Sequence, residues 1–448
     1  MRDPRAAVRE YSTGRHRAEA APRPPRLLMQ PLRERLRLIA AGELAVAEWL
    51  AAADEWSATA DERYRACVEL RPAGQPVRLA VKDTIDVAGF PTRLGLRRHR
   101  HYPRRSAVAL RGLPVNAKVV TTELNIGIGS GCVNPYFPHI DPAGSSTGSG
   151  VAVAAGICDV SLGTDVLGSV RWPAGRCGVV GLRTTHSERR LAGVFPLSPS
   201  MDAPGWVARA ADDLAVLADR IGLDGDGAPG QYRIGLVREV LDGGCEPEIL
   251  TALELCHAAL ADAGHRVEGV RLGELWRCRG MAWDLCAREA WDGYQVWRQW
   301  ISDDLLDSTR RALEAGARIG DGRYAELRAE QQRQRAGVAE LFARQEVDAW
   351  LLPLDPDVPC PPDAAERVTA TSIPTPADDP AGYDRAVGYT PVASFAGLPA
   401  ITFPVGRGTT TGAPLAMQLV GPPRSDRRLV ALAADVGRRL GDLGFVPR

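Results

Sequence analysis

Lysine is almost missing from this chain: the 55 Lys and Arg residues include only two lysines, Lys82 and Lys118. With arginine carrying nearly all the positive charge, local arginine runs say little, whereas each lysine is a conspicuous choice. An excess of one sign of charge is also lacking. Lys+Arg and Asp+Glu are both 55, so composition gives no electrostatic reason to expect a nucleic-acid or anionic-membrane partner. No run of about 18 apolar residues occurs, so no membrane span is expected. The nine cysteines are scattered and contain no Cys-x-x-Cys pair. That argues against a disulfide framework or a zinc site and for free thiols in a reducing cytoplasm. His186, His257 and His265 have no partner pattern, and solvated or core roles are expected for them. Residues 1–25 are rich in Arg, Ala and Pro but lack an apolar signal core, so they read as a flexible leader.

What is present is ordinary globular material, 45% apolar and 25% charged over 448 residues, long enough to bury a large core. Apolar spacing predicts helix over residues 27–56. Short strands are predicted at 78–81, 115–121 and 159–163, with a helical stretch near 107–110 and a small-residue helix over 150–156. Later strands are expected at 233–237, 347–352, 400–403 and 416–420. Residues 245–345 have a helical, aromatic-rich pattern, 353–383 read as a long loop, and 426–440 as an amphipathic helix. Strands alternating with helices predict one α/β/α layer, with a mostly parallel sheet covered on both faces.

Chemistry concentrates in two glycine segments: Gly144-Ser145-Ser146-Thr147-Gly148-Ser149, and Gly163-Thr164-Asp165-Val166-Leu167-Gly168-Ser169. The first could be a linker, a phosphate cradle or a nucleophile turn. A P-loop needs Lys before its Ser/Thr, and none is there. Gly144-x-Ser146-x-Gly148 matches the nucleophile-elbow pattern, but that pattern must follow a buried strand, and His139-Ile140-Asp141-Pro142 makes a poor one. Val81-Lys82-Asp83 adds an amine after an apolar run. A serine hydroxyl needs an adjacent base. A lysine serves only when neutral, which requires its pKa of about 10.4 to fall by about 3 units through burial.

Taken together, these segments resemble the amidase signature family. The likeness runs through Ala80-Val81-Lys82-Asp83, residues 142–156, Gly163-Thr164-Asp165 with Gly168-Ser169-Val170-Arg171, and Phe195-Pro196-Leu197-Ser198 to Trp206. It returns at Ser394-Phe395-Ala396-Gly397-Leu398-Pro399-Ala400 and Gln418-Leu419-Val420-Gly421-Pro422-Pro423, and the pattern is most similar to plant-type arylacetamide amidases. The resemblance implies a single domain over 26–448 with a large twisted mixed sheet, and a helical substrate-side insertion at 245–345. It implies Ser169 as nucleophile, Ser145 as relay after a cis peptide bond, and Lys82 as base. It further implies an oxyanion hole from the backbone N–H groups of Val166, Leu167, Gly168 and Ser169. Ser130, Gly131 and Cys132 would border the acyl pocket, although the segment around them is short. Asp165 and Arg171 would brace the loop.

The chain departs from the family pattern where Leu167 stands at a position usually Gly or Ala, and where Ala143 and Thr147 replace glycines. No metal or organic cofactor is implied, and the expected partner is a small-molecule amide; a homodimer is compatible. Trp276, Trp283, Trp291, Tyr294 and Trp297 fall on about a third of a helix circumference, either packing the helical layer or walling an apolar or aromatic acyl group. Gly280 and Gly293 would allow a bend there. The activity expected is amide hydrolysis through an acyl-enzyme. The alternatives are transfer of the same acyl group to an amine, a component of an amidotransferase, or a silent binding protein on the same scaffold.

Overall fold

The computed structural model describes residues 24–441 except 128, 229, 243, 302–304, 360–377 and 410. Most of the expected leader, residues 1–23, and much of the expected long loop lie outside the described residues.

Eleven strands form one sheet: β1 (Cys67–Leu70), β2 (Leu79–Lys82), β3 (Ala117–Val119), β4 (Val160–Asp165), β5 (Val180–Arg183), β6 (Ala203–Ala208), β7 (Arg233–Val237), β8 (Arg266–Val270), β9 (Ala349–Pro353), β10 (Ala400–Arg407) and β11 (Pro414–Val420). Their order is β1-β3-β2-β4-β6-β5-β10-β11-β9-β7-β8. Pairing is parallel only for β2 with β3 and β4, and for β7 with β8 and β9. The remaining neighbours are antiparallel, so the sheet is mixed, and the expectation of a mostly parallel one is corrected. Three of the six antiparallel pairings involve β5 and β6, which propensity passes over. Pro204 and Gly205 sit inside β6, and both residue types weaken a strand assignment, yet β6 lies between β4 and β5 in the centre.

The N-terminal helical stretch is broken. A single 3-10 turn, Arg26–Met29, precedes α1 (Leu32–Ala40) and α2 (Val46–Tyr64). Pro31 starts α1, and Gly42 at φ 72° ends it. Two short helices follow, α3 (Thr147–Ala154), which opens within the first glycine-serine segment, and α4 (Arg171–Cys177), which opens two residues after the second. Beyond them lie α5 (Ala211–Ile221), α6 (Pro247–Asp262), α7 (Arg279–Trp297), α8 (Asp307–Ala317), α9 (Asp321–Gln345), α10 (Pro391–Phe395) and α11 (Asp426–Leu440). Residues 245–345 are thus not purely helical, because they contain β8 at the sheet edge. Gly280 and Gly293 lie within an unbroken α7.

Alternation along the strands divides the interior. Leu79 and Val81 face the cluster shared with α5, α6 and α11, while Ala80 faces a second cluster built with α2, α3 and α4. By the period of two, Lys82 shares the face of Ala80. The small residues of α3 let it sit almost on the backbone of β3: a Cβ on Gly148 would come 2.4 Å from Val120 N and 2.5 Å from Ala66 O.

Candidate active site

Lys82 ends β2 and is fully buried. Its Nζ lies 2.6 Å from Ser145 Oγ and 2.8 Å from Thr164 Oγ1. Burial pulls the ammonium down to about 7, against the attraction of the Asp202 and Asp165 carboxylates. As a neutral amine it can donate to Thr164 and accept from Ser145. Ser145 follows a cis peptide bond, Gly144-Ser145, and its carbonyl accepts from Thr122 N at 3.3 Å.

Ser146 joins the two glycine segments. Its N–H donates to Ser169 O at 3.0 Å, its hydroxyl donates to Thr164 O at 3.1 Å, and the same oxygen lies 3.3 Å from Thr164 N. The serine picked out by the nucleophile-elbow pattern is therefore spent on structure. Ser169 is held beside the Gly144–Ser146 turn by that bond and is partly exposed.

Asp165 organises the turn between Thr164 and Arg171. Its carboxylate accepts from the N–H groups of Gly168 (3.0 Å), Val170 (3.2 Å) and Arg171 (3.3 Å). The Arg171 guanidinium adds Nε at 3.0 Å and Nη2 at 2.9 Å, and Arg183 pairs at 3.4 Å. Burial alone would raise this carboxyl, but Arg171 and Arg183 hold it well below the usual carboxylate range. The loop-bracing arrangement is thus explicit. The Gly168 N–H, one of the four expected oxyanion donors, is engaged by Asp165 Oδ1. Val166, Leu167 and Ser169 are the remaining candidates. Leu167 is not among the residues of positive φ, and its side chain packs against the cluster that contains Val166 and Leu197. Ala143 does take the left-handed conformation, φ 60°, where glycine is the usual residue.

Of the three residues expected to border an acyl pocket, Ser130 and Gly131 are half-buried. Cys132 is 2% exposed, packs in the second core and donates its thiol to Arg65 O at 3.2 Å. Burial pushes that thiol up to about 12, so its side chain is core. The aromatic group divides. Trp276 lies on a separate turn, Glu274–Arg277, against Tyr389 with centroids 5.3 Å apart, and Trp283 Nε1 donates to Val387 O. Trp297 pairs with Phe195 at 5.7 Å and borders a narrow apolar recess with Leu124, Ile126, Phe195 and Tyr294.

Two further groups, missed in the sequence, act on Lys82, one by contact and one through space. Thr164 is the second partner of Lys82. Asp202, fully buried, accepts from Leu197 N and Ser198 N at 3.0 Å, and burial raises its carboxyl to about 6. His186 binds Asp202 O at 2.7 Å, and His265 contacts Asp435 Oδ2 at 3.3 Å. Among the described residues, no group of three or more His, Cys, Asp or Glu side chains is placed to hold a metal ion.

A buried lysine hydrogen-bonded to a serine and a carboxylate-braced turn thus lie together on a mixed α/β/α sheet. The family model described as Amidase matches residues 37–430, and the chain belongs to that family of enzymes acting on amide C–N bonds. It is 30% identical to 2-amino-5-chloromuconic acid deaminase of Comamonas testosteroni over 323 residues, 69% of this chain and 67% of that one. It is also 30% identical to a glutamyl-tRNA(Gln) amidotransferase component from Thermus thermophilus over 406 residues, 79% and 83% of the two chains. A crystal structure of an amidase superposes with a TM-score of 0.76 at 26% identity, covering 92% of this chain and all of that one. The structure of 6-aminohexanoate cyclic dimer hydrolase shares the fold, with a TM-score of 0.77 at 20% identity over 94% and 99% of the chains. The finer likeness to plant-type arylacetamide amidases does not rest on these relatives. No helix among the described residues is long and apolar enough to cross a membrane.

Proposed function

We propose that this chain hydrolyses a carboxylic amide through an acyl-enzyme on Ser169, with Ser145 relaying the proton to Lys82. The observation that carries the reading is the buried amine, lowered to about 7 and 2.6 Å from Ser145 Oγ. That value puts a useful fraction of neutral base at ordinary pH. Ser169 Oγ attacks the carbonyl carbon as its proton moves to Ser145 Oγ and the Ser145 proton moves to Lys82 Nζ. The new oxyanion is held by backbone N–H groups of the turn, taken from Val166, Leu167 and Ser169; one such donor contributes about 2.7–4 kcal/mol in comparable sites. The ammonium then returns its proton through Ser145 to the departing nitrogen, and water repeats the sequence on the ester.

The acyl group we propose is apolar or aromatic. Leu167 packs in one cluster with Ile126, and Ile126 also contacts the Leu124, Phe195 and Tyr294 cluster, giving a continuous apolar path from the turn to the recess. Ser130 and Gly131 would border the same pocket. Residues 26–448 are read as one catalytic domain. The eight described cysteines are free, which supports a cytoplasmic setting.

A screen of aryl, fatty and small aliphatic primary amides tests both parts. Aryl and larger apolar amides should be hydrolysed fastest, and Ser169→Ala and Lys82→Ala should lose the activity. Equal rates for wild type and Lys82→Ala would sink the mechanism, and a preference for the small aliphatic amides would sink the acyl-group assignment.

A further inference from the structure

The Leu167–Gly168 peptide unit is fixed at both ends. Its carbonyl, Leu167 O, accepts from Thr390 Oγ1 at 2.7 Å, and its N–H donates to Asp165 Oδ1 at 3.0 Å. The next carbonyl, Gly168 O, accepts from Trp172 N at 2.7 Å. Asp165 lies inside the turn, whereas Thr390 comes from a part of the chain 223 residues away. One guanidinium joins the two clamping residues: Arg171 Nη2 donates to Asp165 Oδ1 at 2.9 Å and Nη1 to Thr390 O at 3.1 Å. Thr390 is 1% exposed. Its methyl group also fills the space above Gly168, because a Cβ there would come 2.9 Å from Thr390 Cγ2.

A peptide unit turns as a rigid plane. A rotation that misdirected the neighbouring N–H groups would have to break the Thr390 and Asp165 bonds together. We infer that Thr390 is a positioning residue for the oxyanion turn: its hydroxyl locks the Leu167–Gly168 plane so that the flanking N–H groups of Leu167 and Ser169 stay directed at the acyl oxygen. This rests on the Ser169 acyl-enzyme reading. Without the hydroxyl, Leu167 O loses this donor, and the turn has reason to rotate toward another.

The test is the second-order rate at which a fluorophosphonate, whose phosphoryl oxygen occupies the oxyanion site, labels Ser169. Thr390→Val keeps the shape and removes the donor, whereas Thr390→Ser keeps the donor and removes the methyl. Losing one oxyanion donor outright costs about 10²–10³ in rate, so the valine variant should label about 10- to 100-fold more slowly. The serine variant should label within about threefold of wild type, and the rate of each should titrate at the same pH as wild type. Wild-type labelling by Thr390→Val, or equal slowing by Thr390→Ser, would overturn the inference. If the valine variant fails to fold, Thr390→Ala is judged by the same criterion. Absence of labelling in folded wild type overturns the acyl-enzyme reading itself, and this inference with it.

Discussion

At the residue scale the proposed mechanism turns on one amine. Lys82 carries no ion-pair partner within contact range among the described residues, and its nearest groups are two hydroxyls. Burial therefore dominates and the ammonium is disfavoured, while Asp202 and Asp165 oppose the fall. Asp165 is already matched by Arg171 and Arg183, which leaves Asp202 as the carboxylate that tunes Lys82. Asp202→Asn should lower the Lys82 pKa further, so the acid limb of the pH–rate profile should move to lower pH; a limb shifted upward would contradict this assignment. Lys118, the other lysine, is equally buried but lies opposite Val81, on the other face of the sheet. It is neutralised by Asp83 at 3.3 Å and donates to Ile85 O at 2.6 Å. Both rare lysines are thus interior, one with an acid beside it and one without. That contrast is what the proposed roles, a structural cation at Lys118 and a base at Lys82, require.

At the element scale, function depends on how closely α3 and α4 approach the sheet. Gly148→Ala would drive a methyl into the β3 backbone, which cannot yield cheaply. We predict a loss of about 3 kcal/mol or more, read as a lowered midpoint in denaturant unfolding; an unchanged midpoint would refute the close-packing argument. Asp159, just before β4, binds Arg35 of α1 at 2.9 Å and Arg78 at 3.1 Å. Both arginines are 1% exposed. Breaking a buried pair costs about 3–5 kcal/mol, so Asp159→Asn should destabilise by about that amount. Burial raises the Asp159 carboxyl, yet the two arginines hold it well below its ordinary value. Its contribution is therefore present above the unfolded pKa of about 3.9 and is lost as pH falls through the lower folded value.

Much of this was legible in the sequence because the motifs are local. Lys82 ends a short apolar run and both serines sit in glycine-rich turns, so the proposed reacting groups stand out as residues, and the family resemblance supplies the roles proposed for them. Thr164 and Thr390 were not legible as partners. The first meets Lys82 through the parallel pairing of β2 with β4, and the second meets Leu167 across 223 residues. The glycine and proline that hide β6 from propensity also make the sequence read as a more parallel sheet than the one observed.

At the scale of the whole molecule, the sheet brings three distant segments to one site: the end of β2, the two turns entering α3 and α4, and the segment before α10. Hydrolysis and acyl transfer share this machinery up to the ester, so product analysis with an added amine separates them. Free acid alone is expected, and an amide of the added amine would favour transfer. The central claim is tested most directly by the pH dependence of fluorophosphonate labelling at Ser169. The rate should rise about tenfold per pH unit below pH 7 and level off above it, as a base of pKa about 7 requires, and Lys82→Ala should abolish this dependence along with most of the rate. A wild-type rate that does not change between about pH 5 and pH 9, or an unaltered profile in Lys82→Ala, would contradict it.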